Sequence, residues 1–305
     1  VGTMDLIGNR RYSADELGAY YPFGGAAAIQ SGKPVVSQPF NRAAWVAATT
    51  RLRDLYLNTG YIYSRVTPEE SRRIAEDGTP MIDLRWRIEE GAPATVNRII
   101  ILGNDVTHES VIRSAIVILP GAVFNRELLI RSYQNISNLG FFQPLPPPDV
   151  APTENGQDVD ITFTVVEKQT GNVNFGASLG QGTGLGGFLG LEEPNLFGRG
   201  KRGRFQWQFG KNVNDFNVSY TDPAIQGSRV SGTLALFNSR QRYIVGDLGR
   251  REQKGGSVQV GFPVFGSRYT RLFTSYSLMS ISYIGGSVSL RERYRCEKCV
   301  KSPVG

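Results

Sequence analysis

Cysteine is nearly absent. The 305 residues hold two, Cys296 and Cys299, and a single histidine, His108. A scaffold built on disulfides is therefore excluded. The Cys-x-x-Cys pair has no second ligand pair, and a structural zinc site needs four ligands. A local disulfide in an outward loop, or two unrelated residues in a ragged tail, is expected there, with no metal and no cofactor. Long apolar runs are missing as well, none approaching the roughly 18 residues of a membrane helix. If the chain crosses a membrane, it must do so with strands, whose signal is weaker per segment. No charged-then-apolar leader is visible, and the chain opens on Val1-Gly2-Thr3 without an initiator methionine. A piece lacking its true N-terminus is expected.

Charge of one sign is not concentrated anywhere. The net charge is +7, but 27 acidic residues are interspersed among 34 basic ones. Nucleic-acid binding would call for a contiguous basic stripe, so no nucleic-acid partner is expected. The one basic cluster, Arg291, Arg293, Arg295, Lys298 and Lys301, lies in the tail. It reads as a solvated loop, with anionic lipid head groups as the sharper alternative. Catalytic constellations are lacking too. The paired carboxylates Glu89/Glu90 and Glu192/Glu193 have no visible pocket that would perturb a pKa for acid–base work. No enzyme is expected.

What the chain does have is a repeat, followed by an alternation. Leu6-Ile7-Gly8-Asn9 precedes Ser13-Ala14-Asp15-Glu16-Leu17, and Ile101-Leu102-Gly103-Asn104 precedes Thr107-His108-Glu109. Each reads as a strand, a Gly-Asn turn and a hydroxyl N-cap opening a helix. A second helix follows in each repeat. Residues 42–59 carry Ala44, Ala48, Leu52, Leu55 and Tyr56 at helical spacing, and residues 126–139 carry Leu129, Tyr133 and Ile136. Both end on glycine before aromatics, at Gly60-Tyr61-Ile62-Tyr63 and Gly140-Phe141-Phe142. Two strands then close each unit, the last at 81–89 and at 159–167. The expected order is β-α-α-β-β, twice, giving two α+β domains at 1–91 and 92–169. Residues 22–39 and 144–152, rich in Pro with Gly or Ala, read as surface loops.

From Thr170 helical spacing vanishes. Val173, Phe175, Ala177 and Leu179 alternate with Asn172, Asn174, Gly176 and Ser178. Further strands are expected near 187–191, 203–209, 216–220, 229–238, 257–262 and 269–283. In the third and fourth, Phe205, Trp207, Phe209, Phe216, Val218 and Tyr220 share one face. Turn-rich links near 192–201, 221–228 and 263–268 alternate with longer charged ones near 238–254 and in the tail, 285–305. Short turns on one side and long loops on the other suit a membrane β-barrel, so 170–284 is expected to be an incomplete antiparallel transmembrane β-barrel. A sheet in hydrocarbon must close, and about seven strands cannot, so the remaining strands are expected beyond this chain. The formal G-x-G-x-x-G at 182–187 sits among strands rather than opening a helix, and reads as a hairpin loop. A soluble periplasmic scaffold with a C-terminal β-sandwich is the alternative of another class.

The tandem units, ending in Glu89-Glu90-Gly91 and in Glu167-Lys168-Gln169-Thr170-Gly171, resemble POTRA domains. Glu192, Glu193, Pro194, Asn195, Leu196, Phe197, Gly198, Arg199, Gly200 and Lys201 resemble the first periplasmic turn of BamA-type barrels, and Thr221-Asp222-Pro223 the next. An Arg-Gly-Phe lid motif and a sealing last strand are not matched. TamA-like factors and two-partner secretion transporters share the architecture and are the alternatives within the resemblance. The resemblance implies a BamA-like factor of the outer membrane, with POTRA domains in the periplasm. Such a factor guides unfolded outer-membrane proteins with accessory lipoproteins, in contact with outer-membrane lipid, by strand pairing. It points to two edges. One is the first barrel strand, Asn172, Val173, Asn174, Phe175, Gly176, Ala177, Ser178, Leu179 and Gly180, whose glycines at 176 and 180 either ease its separation or mark a bend. The other is Tyr61, Ile62, Tyr63, Ser64, Arg65 and Val66, expected as the edge strand of the first repeat.

Overall fold

The computed structural model describes residues 1–24, 39–76, 78–154, 156–180, 184–242, 249–264 and 270–284. Two compact units emerge. One comprises Val1–Leu102, Ala115–Ile136 and Leu145–Val165; the other comprises Gly103–Ser114, Ser137–Pro144 and the chain from Val166 on.

The first repeat contains β1 (Met4–Ile7), α1 (Ala14–Gly18), α2 (Arg42–Asn58), β2 (Arg65–Ile74) and β3 (Pro80–Glu89). Ser13 and Glu16 form a reciprocal capping box at α1, and the Asn41 side chain accepts from the Ala44 amide at α2. The strand order is β1-β3-β2, with β1 parallel and β2 antiparallel to β3. The core is aromatic. Trp45 of α2 stacks on Trp86 of β3 with centroids 4.7 Å apart and planes 13° apart. The indole N–H of Trp86 donates to the Thr49 hydroxyl at 2.9 Å, and that hydroxyl donates to the Trp45 carbonyl at 3.0 Å. Leu17, Ala48, Leu52, Tyr56 and Leu84 close around them, fully buried.

The edge strand of this sheet starts later than expected. Tyr61–Ser64 form a turn, and pairing begins only at Arg65. Gly60 takes φ +95° just past α2, and the Tyr61 amide folds back to the Tyr56 carbonyl at 3.0 Å. The Tyr61 ring then meets Tyr56 edge-on, 5.9 Å between centroids. A helix-closing turn thus consumes the aromatics that looked like a strand. The strand itself carries Pro68 and charges at 69, 70, 72 and 73, features that blunt an edge against further pairing.

The second repeat contains β4 (Val96–Leu102), α3 (Glu109–Ala115), α4 (Arg126–Asn138), β5 (Asp149–Pro152) and β6 (Val159–Thr164), in sheet order β4-β6-β5. Two expectations need correction. The proline-rich stretch is not all loop, since Asp149–Pro152 pairs antiparallel with β6 at the sheet edge, where proline is tolerated. The last strand ends at Thr164: the Val165 amide still donates to the Leu102 carbonyl at 2.8 Å, and the chain then changes partner, Glu167 bridging antiparallel to Phe142. Within the first unit the repeats are joined by hydrogen bonds from the Ala94 amide to the Gly60 carbonyl, 2.8 Å, and from the Asn125 side-chain amide to the Asn58 carbonyl, 2.8 Å.

The rest is one seven-stranded antiparallel sheet. It comprises β7 (Asn172–Gly180), β8 (Gly184–Leu196), β9 (Lys201–Gly210), β10 (Val213–Asp222), β11 (Ser231–Arg242), β12 (Arg250–Pro263) and β13 (Arg271–Ile284), each paired with its sequence neighbours. Register puts Val173, Phe175, Leu189, Leu191, Phe205, Trp207, Phe216, Val218, Leu234, Leu236 and Val258 on one face. Asn174, Gln206, Gln208, Asn217, Ser239 and Gln253 share the other. The apolar face is left open, with Phe175 and Leu179 over 80% exposed. A β-sandwich would cover that face with a second sheet, and no such sheet occurs among the described residues.

Strands run further into the links than periodicity suggested. Glu192, Glu193, Pro194 and Asn195 belong to β8, and the turn proper is only Phe197–Gly200. Glu192 stays in the ladder opposite Arg204, with an ion pair of 2.9 Å, and the register slips only between Glu193 and Leu196, beside Pro194. The gap between the strands expected at 203–209 and 216–220 shrinks to residues 211–212, since Val213 already pairs. The link near 238–254 narrows, with strands reaching Arg242 and resuming at Arg250. Most of the expected surface loop at 22–39, the loop tip at 181–183, the links at 243–248 and 265–269, and the tail with Cys296, Cys299 and the basic cluster lie outside the described residues.

Candidate functional site

β7 is one of the two outer strands of the seven-stranded sheet, the other being β13. In an antiparallel ladder every second residue of an edge strand turns both its N–H and its C=O away from the only neighbour. Among the described residues the strand Asn172 to Gly180 is therefore a row of unfilled backbone partners. Its outward side chains, Val173, Phe175, Ala177 and Leu179, are exposed, and its other face carries Asn172, Asn174, Gly176 and Ser178. Gly176 is not bare. It lies opposite Phe188 of β8, and a Cβ there would come within 2.5 Å of the ring. Gly180 pairs with Gly184 at the hairpin end.

The foot of β7 is tied down by the turn after β8. The Glu193 carboxylate accepts from the Thr170 hydroxyl at 2.5 Å and from the Asn195 amide at 2.9 Å. Asn195, buried, donates its side-chain amide to the Thr107 hydroxyl at 2.9 Å and accepts from the Gly200 amide at 2.8 Å. The Gly198 carbonyl accepts from the His108 amide at 2.8 Å. Gly198 has φ +69°, and a Cβ there would sit 2.0 Å from the Val106 carbonyl oxygen. Of the expected turn residues Glu193, Asn195, Gly198 and Gly200 meet here, whereas Glu192 pairs with Arg204 and Pro194 only shapes the slip in register. Residues 61–66 have no part in this anchor.

Sequence reasoning missed a lock repeated in both units. The side-chain amide of Asn9 donates to the Tyr12 carbonyl at 3.0 Å, and that of Asn104 donates to the Thr107 carbonyl at 3.0 Å. Glu90 accepts from the amides of Arg10 and Arg11 at 2.8 and 2.9 Å, and Glu167 from those of Val106 and Thr107 at 2.8 and 2.6 Å. The paired carboxylate at 89/90 is thus a turn clamp. Tyr56 also donates to Glu90 at 2.9 Å; burial, then the hydrogen bond and charge of Glu90, push its phenol far above the ordinary value and keep it a donor.

Burial raises the Glu167 carboxyl, but the hydroxyl and amide of Thr107 and the amides of Val106 and Asp105 outweigh it and hold it below the ordinary carboxylate range. A depressed folded-state value contributes stability that is present above the unfolded value, about 4.3, and is lost as pH falls through the folded one. Glu167→Gln keeps one acceptor oxygen of two and is expected to cost about 1–2 kcal/mol at pH 7, discounted for solvent access. Thermal melts of both proteins between pH 7 and pH 3 check this. Their difference should shrink below about pH 4.3, and a pH-independent difference would contradict the clamp.

Comparison with known proteins gives the frame. POTRA, described as surface antigen variable number repeat, matches residues 1–91 and 94–168, and the Omp85 superfamily domain matches residues 195–299. A putative outer membrane protein assembly factor of Treponema pallidum is 28% identical over 233 residues, covering 74% of this chain and 26% of that protein. The outer membrane protein assembly factor BamA of Neisseria meningitidis is 27% identical over 192 residues, covering 63% of this chain and 24% of that protein. The chain spans about a quarter of the length of these relatives. The crystal structure of BamA from Haemophilus ducreyi lacking POTRA domains 1-3 superposes with a TM-score of 0.73 at 22% identity, covering 92% of this chain and 50% of that one. That likeness speaks for the fold: POTRA repeats followed by part of a barrel sheet.

Proposed function

This chain belongs to the POTRA family, with an Omp85 superfamily domain behind its repeats, and from that premise we propose that it assembles β-barrel proteins into the outer membrane by lending them a strand edge. The observation that carries the reading is β7, an unfilled edge on a sheet with one apolar and one amide-rich face. An unpaired backbone group in hydrocarbon costs on the order of several kcal/mol. A client strand entering beside β7 exchanges each such cost for a ladder hydrogen bond as it arrives, so no nucleotide or cofactor is needed. Folding of the client supplies the driving force.

The POTRA repeats lie in the periplasm in this reading, where they meet unfolded clients and accessory lipoproteins. The β2 edge from Arg65 on is a weaker acceptor than β7 because of its proline and charges. The anchor at Glu193, Asn195 and Gly198 holds the foot of β7, and the outer edge of the strand faces the incoming client.

Photo-crosslinkers at 173, 175, 177 and 179 of the full-length protein, and at Trp207 in mid-sheet, test this during assembly of a client barrel. Clients should link to β7. Links confined to mid-sheet would overturn the proposal.

A further inference from the structure

The hairpin of β7 and β8 sets Gly176 opposite Phe188. Phe188 also lies opposite Gln208, which places its ring on the amide-rich face rather than the apolar one. There it borders a hollow of about 820 Å³ lined by Asn174, Gln206, Gln208, Asp215 and Asn217. Among the described residues two more such pairs occur on this face, Phe237 over Gly255 and Phe273 over Gly261. In both of those the glycine belongs to β12, inside the sheet. Of the three pairs, Gly176 alone puts the glycine on an open edge, so its ring ends where an incoming strand would lie.

A strand added to β7 sets one side chain opposite each edge residue, with Cβ atoms on a shared face about 4.5–5.5 Å apart. Opposite Asn174 and Ser178 it would meet an amide and a hydroxyl. Opposite Gly176 it would meet no side chain of β7 and would touch the Phe188 ring instead. We propose that the Gly176–Phe188 pair is the specificity element of this edge. It selects strands whose water-facing side carries one large apolar or aromatic residue at the position opposite Gly176, with polar residues two places to either side. The outer face of such a strand is apolar throughout, to match Val173, Phe175, Ala177 and Leu179.

The same contact fixes register. A slip of one residue flips every side chain to the wrong face. A slip of two keeps the faces but moves the aromatic away from Phe188, onto Asn174 or Ser178. This inference rests on the reading of β7 as the acceptor edge.

The test uses the full-length protein in phospholipid vesicles, with Cys296 and Cys299 replaced by serine and a cysteine at Ala177. The probe is a synthetic nine-residue strand with leucine outward, asparagine inward, a central inward residue X, and a cysteine beside X. Disulfide yield is compared for X as Ser, Leu and Phe. Leu and Phe should exceed Ser by about fivefold, the upper end for a favourable cross-strand contact. The preference should vanish in Phe188→Ala and in Gly176→Ala, whose Cβ displaces the ring, and should survive in Phe188→Tyr. An undiminished preference in Phe188→Ala, in protein that still folds, would overturn the inference while leaving the edge reading intact. If no probe reaches Ala177 in any variant but the same probe links to cysteines at Thr67 or Ser71 of β2, the edge reading itself fails, and the inference with it.

Discussion

Trp86→Ala is expected to unfold the first repeat. Trp86 is fully buried, stacks on Trp45 and donates its indole N–H to the buried Thr49 hydroxyl. Truncating such a ring costs about 3–5 kcal/mol in transfer and cavity terms. The lost hydrogen bond adds roughly 1 kcal/mol. A domain of this size has only about 5–15 kcal/mol in total, so the variant sits near or below its folding threshold. Two companions separate the causes. Trp86→Phe keeps a ring against Trp45 but loses the donor, and should cost about 1–2 kcal/mol. Val46→Ala, on the exposed side of α2, should stay within about 0.5 kcal/mol. Urea unfolding of the full chain, followed by near-ultraviolet circular dichroism, checks the series. A loss under about 1 kcal/mol for Trp86→Ala would mean the stacked pair is not the centre of the core.

That stack was illegible beforehand, although the elements that carry it were not. Gly-Asn turns, hydroxyl caps and helical spacing announce β-α-α-β-β twice because each is a local signal. Which indole faces which depends on how a helix lies on a sheet, and no spacing encodes that. The turn at 61–64 fooled the pattern for a related reason. Three aromatic or apolar residues after a glycine look like a strand, yet the Tyr61 amide closes back on Tyr56.

The clamps at Glu90 and Glu167 were hidden for a different reason. Their partners are backbone amides some 60 to 80 positions away, and an amide carries no residue identity to read. The Gly176–Phe188 pair falls between these cases. A hairpin pairs residues whose numbers have a constant sum, 172 with 192 and 180 with 184, so one known turn fixes 176 with 188. Alternation alone leaves that sum open. For the same reason the two faces are legible along β7, β9 and β10, where apolar and polar residues alternate, while the cross-strand partner of each edge residue is not.

The anchor under β7 offers the second large effect. Gly198→Ala places a Cβ 2.0 Å from the Val106 carbonyl oxygen, and that obstacle is backbone. The turn must retreat by more than an ångström. Doing so breaks the His108–Gly198 hydrogen bond and pulls Asn195 from Thr107, leaving buried polar groups unpaired. Strain at positive φ contributes about 1 kcal/mol and the broken contacts about 1–3 kcal/mol more. Gly227→Ala is the matched control: its φ is +74°, but nothing lies within 4 Å of the added carbon. It should cost only the strain, about 1 kcal/mol. Trypsin reports the difference directly, because Arg199 stands exposed in the turn and becomes a cleavage site once the turn lifts. Client insertion into vesicles should fall by about tenfold or more in Gly198→Ala, the factor matching roughly 1.4 kcal/mol, and stay within about twofold in Gly227→Ala. Equal behaviour of the two variants would show that conformation at the turn matters and its docking on residues 103–114 does not.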